Sequence, residues 1–240
     1  MQLAMVVDLT KCIGCHTCSV ACKAQWQLPE NSGRSWLRRF GPSQTSKGLA
    51  YTFYSGRCNH CDQPLCVPVC PVPPVSRTFA DEKANRMVTI KATATWKDPL
   101  DGTVQIDTKR CIGCGACVKA CPYGARYMRA MEGAPDKKVV DKCSFCVELL
   151  GKGGTPACVK NCLTDAMVFG DLSDPDSEVA ALVKNGAVRL ISSEVSIGPN
   201  VYYMGTSKDV ELLKSEATPT QKPRVSERRT VLKAISAVSG

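Results

Sequence analysis

The sequence predicts an α+β fold built by internal duplication, and three observations carry that reading. The 16 cysteines fall into four groups of four with no remainder. Each group closes on a C-x3-C pair, so one supersecondary unit recurs along the chain. Short apolar runs of strand character separate the groups. A chain of 240 residues suffices for one large domain or two small ones with a real core. The apolar content of 44% counts the cysteines, so the aliphatic core is thin and something else must fill part of the interior.

Along the chain, Gln2–Val7 alternates and reads as a strand leading into the first cysteine group. A short helix follows from Cys18 towards Trp26. Residues 27–49, punctuated by Pro29, Gly33, Pro42 and Gly48, are expected to form a long loop carrying Arg34, Trp36, Arg38, Arg39 and Phe40, as a surface cover or a docking element. Ala50–Ser55 is aromatic-rich and strand-like. Met87–Thr95 and Thr103–Asp107, joined through Asp98–Gly102, predict one β-hairpin filling most of the stretch between Cys70 and Cys111. Ala125–Met131 is another strand. Gly151–Thr155 lacks the G-x4-G-K-[ST] spacing of a phosphate loop and reads as a flexible insertion. Asp174 is placed to cap a helix with Pro175 at its first position, Ala180–Val183 on its apolar face and Gly186 past its end. Val188–Ile191 and Val201–Met204 read as short strands. Lys214–Arg229 has the composition of a linker or extended arm, and Val231–Val238 is too short to span a bilayer. No apolar run of about 18 residues occurs anywhere. Met1–Cys12 has neither a charged start nor a long apolar stretch, so no signal peptide is expected.

The cysteine spacings carry the chemistry. Group one is Cys12, Cys15, Cys18 and Cys22; group two is Cys58, Cys61, Cys66 and Cys70. Group three is Cys111, Cys114, Cys117 and Cys121; group four is Cys143, Cys146, Cys158 and Cys162. Groups one and three follow C-x2-C-x2-C-x3-C, the run of bacterial two-cluster ferredoxins, and Pro122 completes the third. Three thiolates on a tight loop can bind three irons of one cubane, while the fourth opens a helix pointing away and serves a neighbouring cluster. Gly14, Gly113 and Gly115 suit the close backbone approach that sulfides demand. Structural zinc would use two C-x2-C pairs per site and matches four C-x3-C endings poorly. Disulfides belong to small secreted domains. Four 4Fe–4S clusters are therefore expected.

Each group also follows a basic residue: Lys11, Arg57, Arg110 and Lys142. They are either ordinary solvated charges or cations that favour the reduced cluster. The formal charge of +9 counts thiols as neutral; a 4Fe–4S core with four thiolates carries about −2, so four bring the holoprotein near +1. Nucleic-acid binding on net charge alone is excluded. No Ser/His/Asp set, paired carboxylates or G-x-G-x-x-G stands out, so no catalytic site is expected. His16 and His60 lie inside cluster loops, where hydrogen bonds to backbone or sulfur are favoured over quinone chemistry.

Several runs resemble one family: Met5–Cys15, Arg57–Asp62, Cys111–Pro122 with Tyr123–Tyr127, Asp141–Cys143, Pro156–Cys158, Phe169–Leu172 and Pro199–Tyr203. The chain resembles the iron–sulfur electron-transfer (beta) subunits of the dimethyl sulfoxide reductase family of molybdopterin oxidoreductases, of the polysulfide, thiosulfate, tetrathionate and arsenate reductase type. The resemblance covers about residues 3–205. It implies two ferredoxin-like two-cluster halves with a β-hairpin insertion and a C-terminal extension: 1–50 with 132–205 for groups one and four, 51–131 for groups two and three, and 206–240 as an arm. It also implies nested ligation. Cys12, Cys15 and Cys18 would share a cluster with Cys162, and Cys22 would join Cys143, Cys146 and Cys158. Cys58, Cys61 and Cys66 would pair with Cys121, and Cys70 with Cys111, Cys114 and Cys117. Pairing of adjacent groups stays open on sequence alone; Pro71 and Pro122, after the last cysteine of groups two and three only, agree with the nested scheme. Leu163 stands where the family usually has Pro, and Val72-Pro-Pro74 replaces a common Thr-Gly-Ala, but neither removes a ligand. Relatives with a three-iron cluster lack cysteine at the position of Cys114.

The resemblance implies a one-electron relay between a molybdenum or tungsten pterin catalytic subunit and a quinone-reactive membrane subunit in anaerobic respiration. Relay in a hydrogenase or formate dehydrogenase complex and a free polyferredoxin are the alternatives. It places the chain peripherally on the cytoplasmic membrane, with the periplasmic face favoured over the cytoplasmic one, as a folded passenger on an exported partner. In the tail, Glu227–Lys233 looks like a twin-arginine motif at the wrong end of the chain. Arg224, Arg228, Arg229 and Lys233, with Val231, Leu232, Ile235 and Val238, are expected to dock the arm on a membrane subunit or anionic lipid.

Overall fold

The computed structural model describes residues 1–82, 84–190 and 197–216. In chain order the elements are β1 (Leu3–Asp8), α1 (Thr17–Gln25), β2 (Ser35–Thr45), β3 (Gly48–Arg57), β4 (Val75–Asp81), β5 (Arg86–Ala92), β6 (Thr95–Lys97), β7 (Val104–Ile106), α2 (Ala116–Lys119), β8 (Tyr127–Met131), β9 (Ala134–Asp141), α3 (Val147–Leu150), α4 (Ala157–Lys160), β10 (Met167–Asp171), α5 (Glu178–Lys184), β11 (Val188–Arg189), β12 (Val201–Met204) and α6 (Ser207–Glu216). Among the described residues no helix is long and apolar enough to cross a membrane.

One four-stranded sheet, in the order β10-β1-β12-β11, joins the two ends of the chain. β1 lies antiparallel to β10 and parallel to β12. Leu3, Met5 and Val7 face the main core, whereas Ala4 and Val6 face a second one with Val179 of α5. A strand covered on both faces reads as an unbroken apolar run, and Leu3-Ala-Met-Val-Val7 does. The remaining strands form four antiparallel hairpins: β2–β3, β4–β5, β6–β7 and β8–β9. Cysteines are part of both larger cores, mixed with aliphatic and aromatic side chains.

Strand β1, helix α1, the strand at Ala50–Ser55, β8 and β12 lie where the sequence predicts them; Ile191 of the expected Val188–Ile191 strand lies outside the described residues. Four expectations are corrected. Residues 27–49 are not one loop, because Ser35–Thr45 form β2 and pair with β3. Their register slips between Phe40 and Ser43, so Gly41 and Pro42 sit at a bulge, where a missing backbone donor breaks no ladder bond. The stretch before Cys111 holds two hairpins rather than one: β5 pairs backwards with β4, and β6 with β7. The helix near 180 is capped by Ser177, whose hydroxyl accepts the Ala180 N–H at 3.1 Å, while Asp174 binds the Asp176 N–H at 3.0 Å in the preceding turn. Lys214–Glu216 are not linker but the last turn of α6. That helix buries Leu212 and Leu213 and is tied to the β2–β3 turn by Ser46, which donates its N–H and hydroxyl to Glu211 at 2.7 and 2.6 Å. Residues 217–240, with every basic and apolar residue expected in the docking tail, lie outside the described residues. Gly151–Gly154 are wound onto α3, their N–H groups donating to the carbonyls of Val147, Leu149 and Leu150.

Candidate cluster sites

Three cavities are each ringed by four cysteines. Cys22, Cys143, Cys146 and Cys158 line the first; Cys70, Cys111, Cys114 and Cys117 the second; Cys58, Cys61, Cys66 and Cys121 the third. The remaining four also lie together: burial and the neighbouring Cys18, Cys162 and Cys15 raise the Cys12 thiol pKa. Each set combines three cysteines of one group with the last cysteine of another. The sheet explains this crossing, since Val7 pairs with Met167 and the Asp8 N–H donates to Ala166 O at 2.7 Å, which brings the loop after β1 beside Cys162.

The local backbone repeats with the cysteines. In the first Cys-x-x-Cys pair of every group the second spacer residue has positive φ: Gly14 at 72°, His60 at 43°, Gly113 at 70° and Phe145 at 58°. This left-handed turn folds two thiols to one side. At the end of two groups the N–H four residues beyond the last cysteine returns to its sulfur, Ala125 to Cys121 at 3.4 Å and Ala166 to Cys162 at 3.3 Å. Such donors favour a thiolate.

His60 and Phe145, the two non-glycine residues at those turns, stack with ring centroids 3.8 Å apart and 22° between planes. His60 Nδ1 accepts the Val104 N–H at 2.9 Å and Nε2 lies 3.0 Å from the Cys143 carbonyl oxygen. Both nitrogens are thus held by backbone, as a neutral ring with its proton on Nε2. Burial, then the Lys142 charge, keep its pKa well below the usual histidine value. Asn200 fastens the same loop to β12, donating to His60 O at 2.9 Å and Asp62 Oδ1 at 2.8 Å. Asp141 is a second anchor. It receives Arg34 at 3.1 Å, Arg129 at 3.0 Å, the Tyr127 hydroxyl at 2.9 Å and the Lys142 N–H at 2.8 Å. Burial raises its carboxyl pKa, but the Arg34 charge together with the hydrogen bonds from Arg34, Tyr127 and the Lys142 N–H brings it below the ordinary value.

The four basic residues flanking the groups do different things. Lys11 is exposed. Arg110 braces backbone, donating to Ala92 O and Thr93 O at 3.0 Å each and to Pro73 O. Arg57 and Lys142 are buried among cysteines. Sequence reasoning missed Arg126, which is buried and lines two of the cavities; its only signal was its place in the Tyr123–Tyr127 run.

The donor set fits iron–sulfur cubanes. Among the described residues no three His, Cys, Asp or Glu side chains converge on a single-ion position; the thiols surround a volume instead. Burial by itself drives the thiols towards the neutral form, with Cys22 pushed up to about 12 and Cys66 to about 11. Ligation by a cationic core reverses that preference, because metal binding releases the thiol proton. A set of four soft sulfur ligands suits such clusters. Two thiols are exposed, Cys15 and Cys114, one in the set of Cys12 and one in the set of Cys111. Ile13 at 60% and Ile112 at 63% exposure flank them.

Comparison with known proteins agrees with this chemistry. Family models described as a 4Fe–4S dicluster domain match residues 11–73 and 49–172. The chain is 36% identical over 207 residues to a tetrathionate reductase subunit of Salmonella typhimurium, covering 85% of this chain and 72% of the relative. It is 37% identical to the thiosulfate reductase electron transfer subunit PhsB of Salmonella typhi, over 73% of this chain and 79% of that one. It is 32% identical to the arsenate respiratory reductase iron–sulfur subunit ArrB of a Shewanella species, over 85% and 96%.

Proposed function

Because the chain belongs to the 4Fe–4S dicluster family of iron–sulfur electron-transfer subunits, we propose that its 16 cysteines hold four cubanes in the nested sets described above. When bound, each cluster supplies a one-electron couple whose potential the protein tunes through burial, charge and hydrogen bonds to sulfur. The chain's own residues hold the clusters, exclude water from the inner ones and aim backbone donors at sulfur. The role is that of a relay, not a catalytic subunit. The observation that carries the reading is the set of three cavities, each walled by four thiols from two distant stretches of chain.

The relay joins a molybdopterin catalytic subunit to a quinone-reactive membrane subunit. The exposed thiols Cys15 and Cys114, in two different sets, support two separate docking ends. The halves are 1–50 with 132–205, and 51–131; within them the hairpins β2–β3 and β8–β9 straddle both boundaries and sew the halves together. The complex sits on the outer face of the cytoplasmic membrane, the chain having been exported folded with its catalytic partner. Anaerobic purification in mild detergent tests the assignment. It should yield about 16 iron and 16 acid-labile sulfide per chain, with a large pterin-containing partner attached. A lone soluble chain carrying all its iron would defeat the complex reading; zinc in place of iron would defeat the cofactor reading. Protease treatment of spheroplasts should digest the chain, and its protection until lysis would move it to the cytoplasmic face.

A further inference from the structure

The four cysteine sets form a series, and a buried cation stands at each of its three junctions. Arg57, at the end of β3, is 1% exposed. Its guanidinium donates to Cys158 Sγ at 3.2 Å and to Met5 Sδ at 2.9 Å. It also donates to the Ser55 hydroxyl, which lies 3.8 Å from Cys18 Sγ. Arg57 therefore links the set holding Cys18 to the set holding Cys158. Lys142, 3% exposed, donates to Cys143 O at 2.8 Å and to the carbonyl of Val104. Val104 walls the cavity of Cys58, Cys61, Cys66 and Cys121, so Lys142 links the second set to the third. Arg126, 2% exposed, walls that cavity and the one ringed by Cys70, Cys111, Cys114 and Cys117. It donates to Thr95 Oγ1 at 3.0 Å, while its Nε and Nη1 have no hydrogen-bond partner among the described residues.

Among the described residues none of these three cations has a carboxylate within ion-pair distance. A buried charge without a counter-charge is strongly unfavourable, so the compensating anion must lie in the cavities these side chains face. A thiolate-ligated cubane is such an anion, and it gains a further negative charge on reduction. A cation wedged between two of them favours the reduced state of both and screens each from the other's extra electron, all the more in a poorly screening interior.

We propose that Arg57, Lys142 and Arg126 are shared counter-ions, each raising the reduction potentials of the two clusters that flank it. The proposal rests on the cysteine sets assigned above and deepens the relay reading. It makes the three cations positioning charges for electron flow, distributed one to a junction, where the sequence pattern pointed to one cation beside every group.

Potentiometric titration of the anaerobically purified holoprotein, followed by electron paramagnetic resonance, tests it. Arg126→Gln should move two of the four cluster signals to lower potential by at least tenfold in the reduction equilibrium, about 59 mV for one electron, and leave the other two in place. Arg57→Gln should move the complementary pair. Lys142→Met should move one signal from each pair. Arg126→Lys and Arg57→Lys, which keep the charge, should stay near the parent. Signals that do not move, the same pair moving in both Gln variants, or Lys and Gln variants shifting alike would overturn the proposal. So would loss of iron from the Gln variants alone, which would assign the guanidinium to cluster assembly. A parent protein short of iron would instead strike at the cysteine assignment.

Discussion

Gly113 occupies the second spacer position of its Cys-x-x-Cys pair, at φ +70°, and a Cβ there would collide with the carbonyl oxygen of Lys138. The left-handed backbone alone costs an ordinary L-residue about 1–2 kcal/mol, and Lys138 lies in β9 opposite Ala130 of β8, so its carbonyl cannot yield without disturbing that hairpin. Gly113→Ala should therefore release the cluster held by Cys111, Cys114 and Cys117, lowering iron per chain by about a quarter. Iron assay with the melting curve of the purified variant checks this; full iron at the parent melting temperature would refute it. The cysteines and these glycines were legible in the sequence because the chemistry demands those residue types at that spacing. The same turn at His60 and Phe145 was not legible, since neither residue advertises positive φ. Their conformation is sustained by the stack between them and by backbone bonds to both His60 nitrogens, contacts made across 44 to 85 residues of chain.

The hairpins were the least legible elements. β2 lacks clean alternation and carries Gly41 and Pro42 at its bulge, so its residues looked like loop; pairing with β3 overrides that local preference. α6 was hidden in a polar stretch whose apolar pair, Leu212 and Leu213, has meaning only once β2–β3 is there to cover it. Leu213 is 0% exposed. Leu213→Ala should cost about 2–5 kcal/mol, with α6 becoming the first site of limited proteolysis while iron content holds. A truncation meant to probe the tail must consequently keep the chain through Glu216, because ending at Leu213 removes part of this helix. Asp141 performs the corresponding service for β8–β9. Replacing it by Ala leaves the partly buried Arg34 and Arg129 without their carboxylate, and breaking a buried pair from one side costs up to about 3–5 kcal/mol. Thermal or denaturant unfolding should register that loss. A change under about 1 kcal/mol, the range of surface pairs, would show the network to be dispensable.

On the scale of the whole molecule, the question left open by the spacings was which groups share a cluster, because adjacent and nested pairing use the same motifs. What favours the nested scheme is long-range: β1 lies between β10 and β12, so the first cysteine loop meets the last rather than the second. α1 then carries Cys18 and Cys22, one turn apart and both buried, and their sulfurs serve different sets. Cys18 stands with Cys12, Cys15 and Cys162, whereas Cys22 faces Cys143, Cys146 and Cys158 across a shared cavity. In the proposed ligation a single helical turn thereby couples two neighbouring clusters. Cys22→Ser should abolish or convert the cluster whose other three ligands lie more than a hundred residues away, and leave intact the one whose three ligands precede it in the same loop. The cleanest measurement compares the resonance spectra of Cys22→Ser and Cys146→Ser. In the nested arrangement both variants lose the same signal and the double variant loses nothing more. Loss of different signals in the two single variants, or of the cluster bound by Cys12, Cys15 and Cys18 in Cys22→Ser, would return the ligation to adjacent groups. The series of four clusters, and the three cations set between them, would then have to be redrawn.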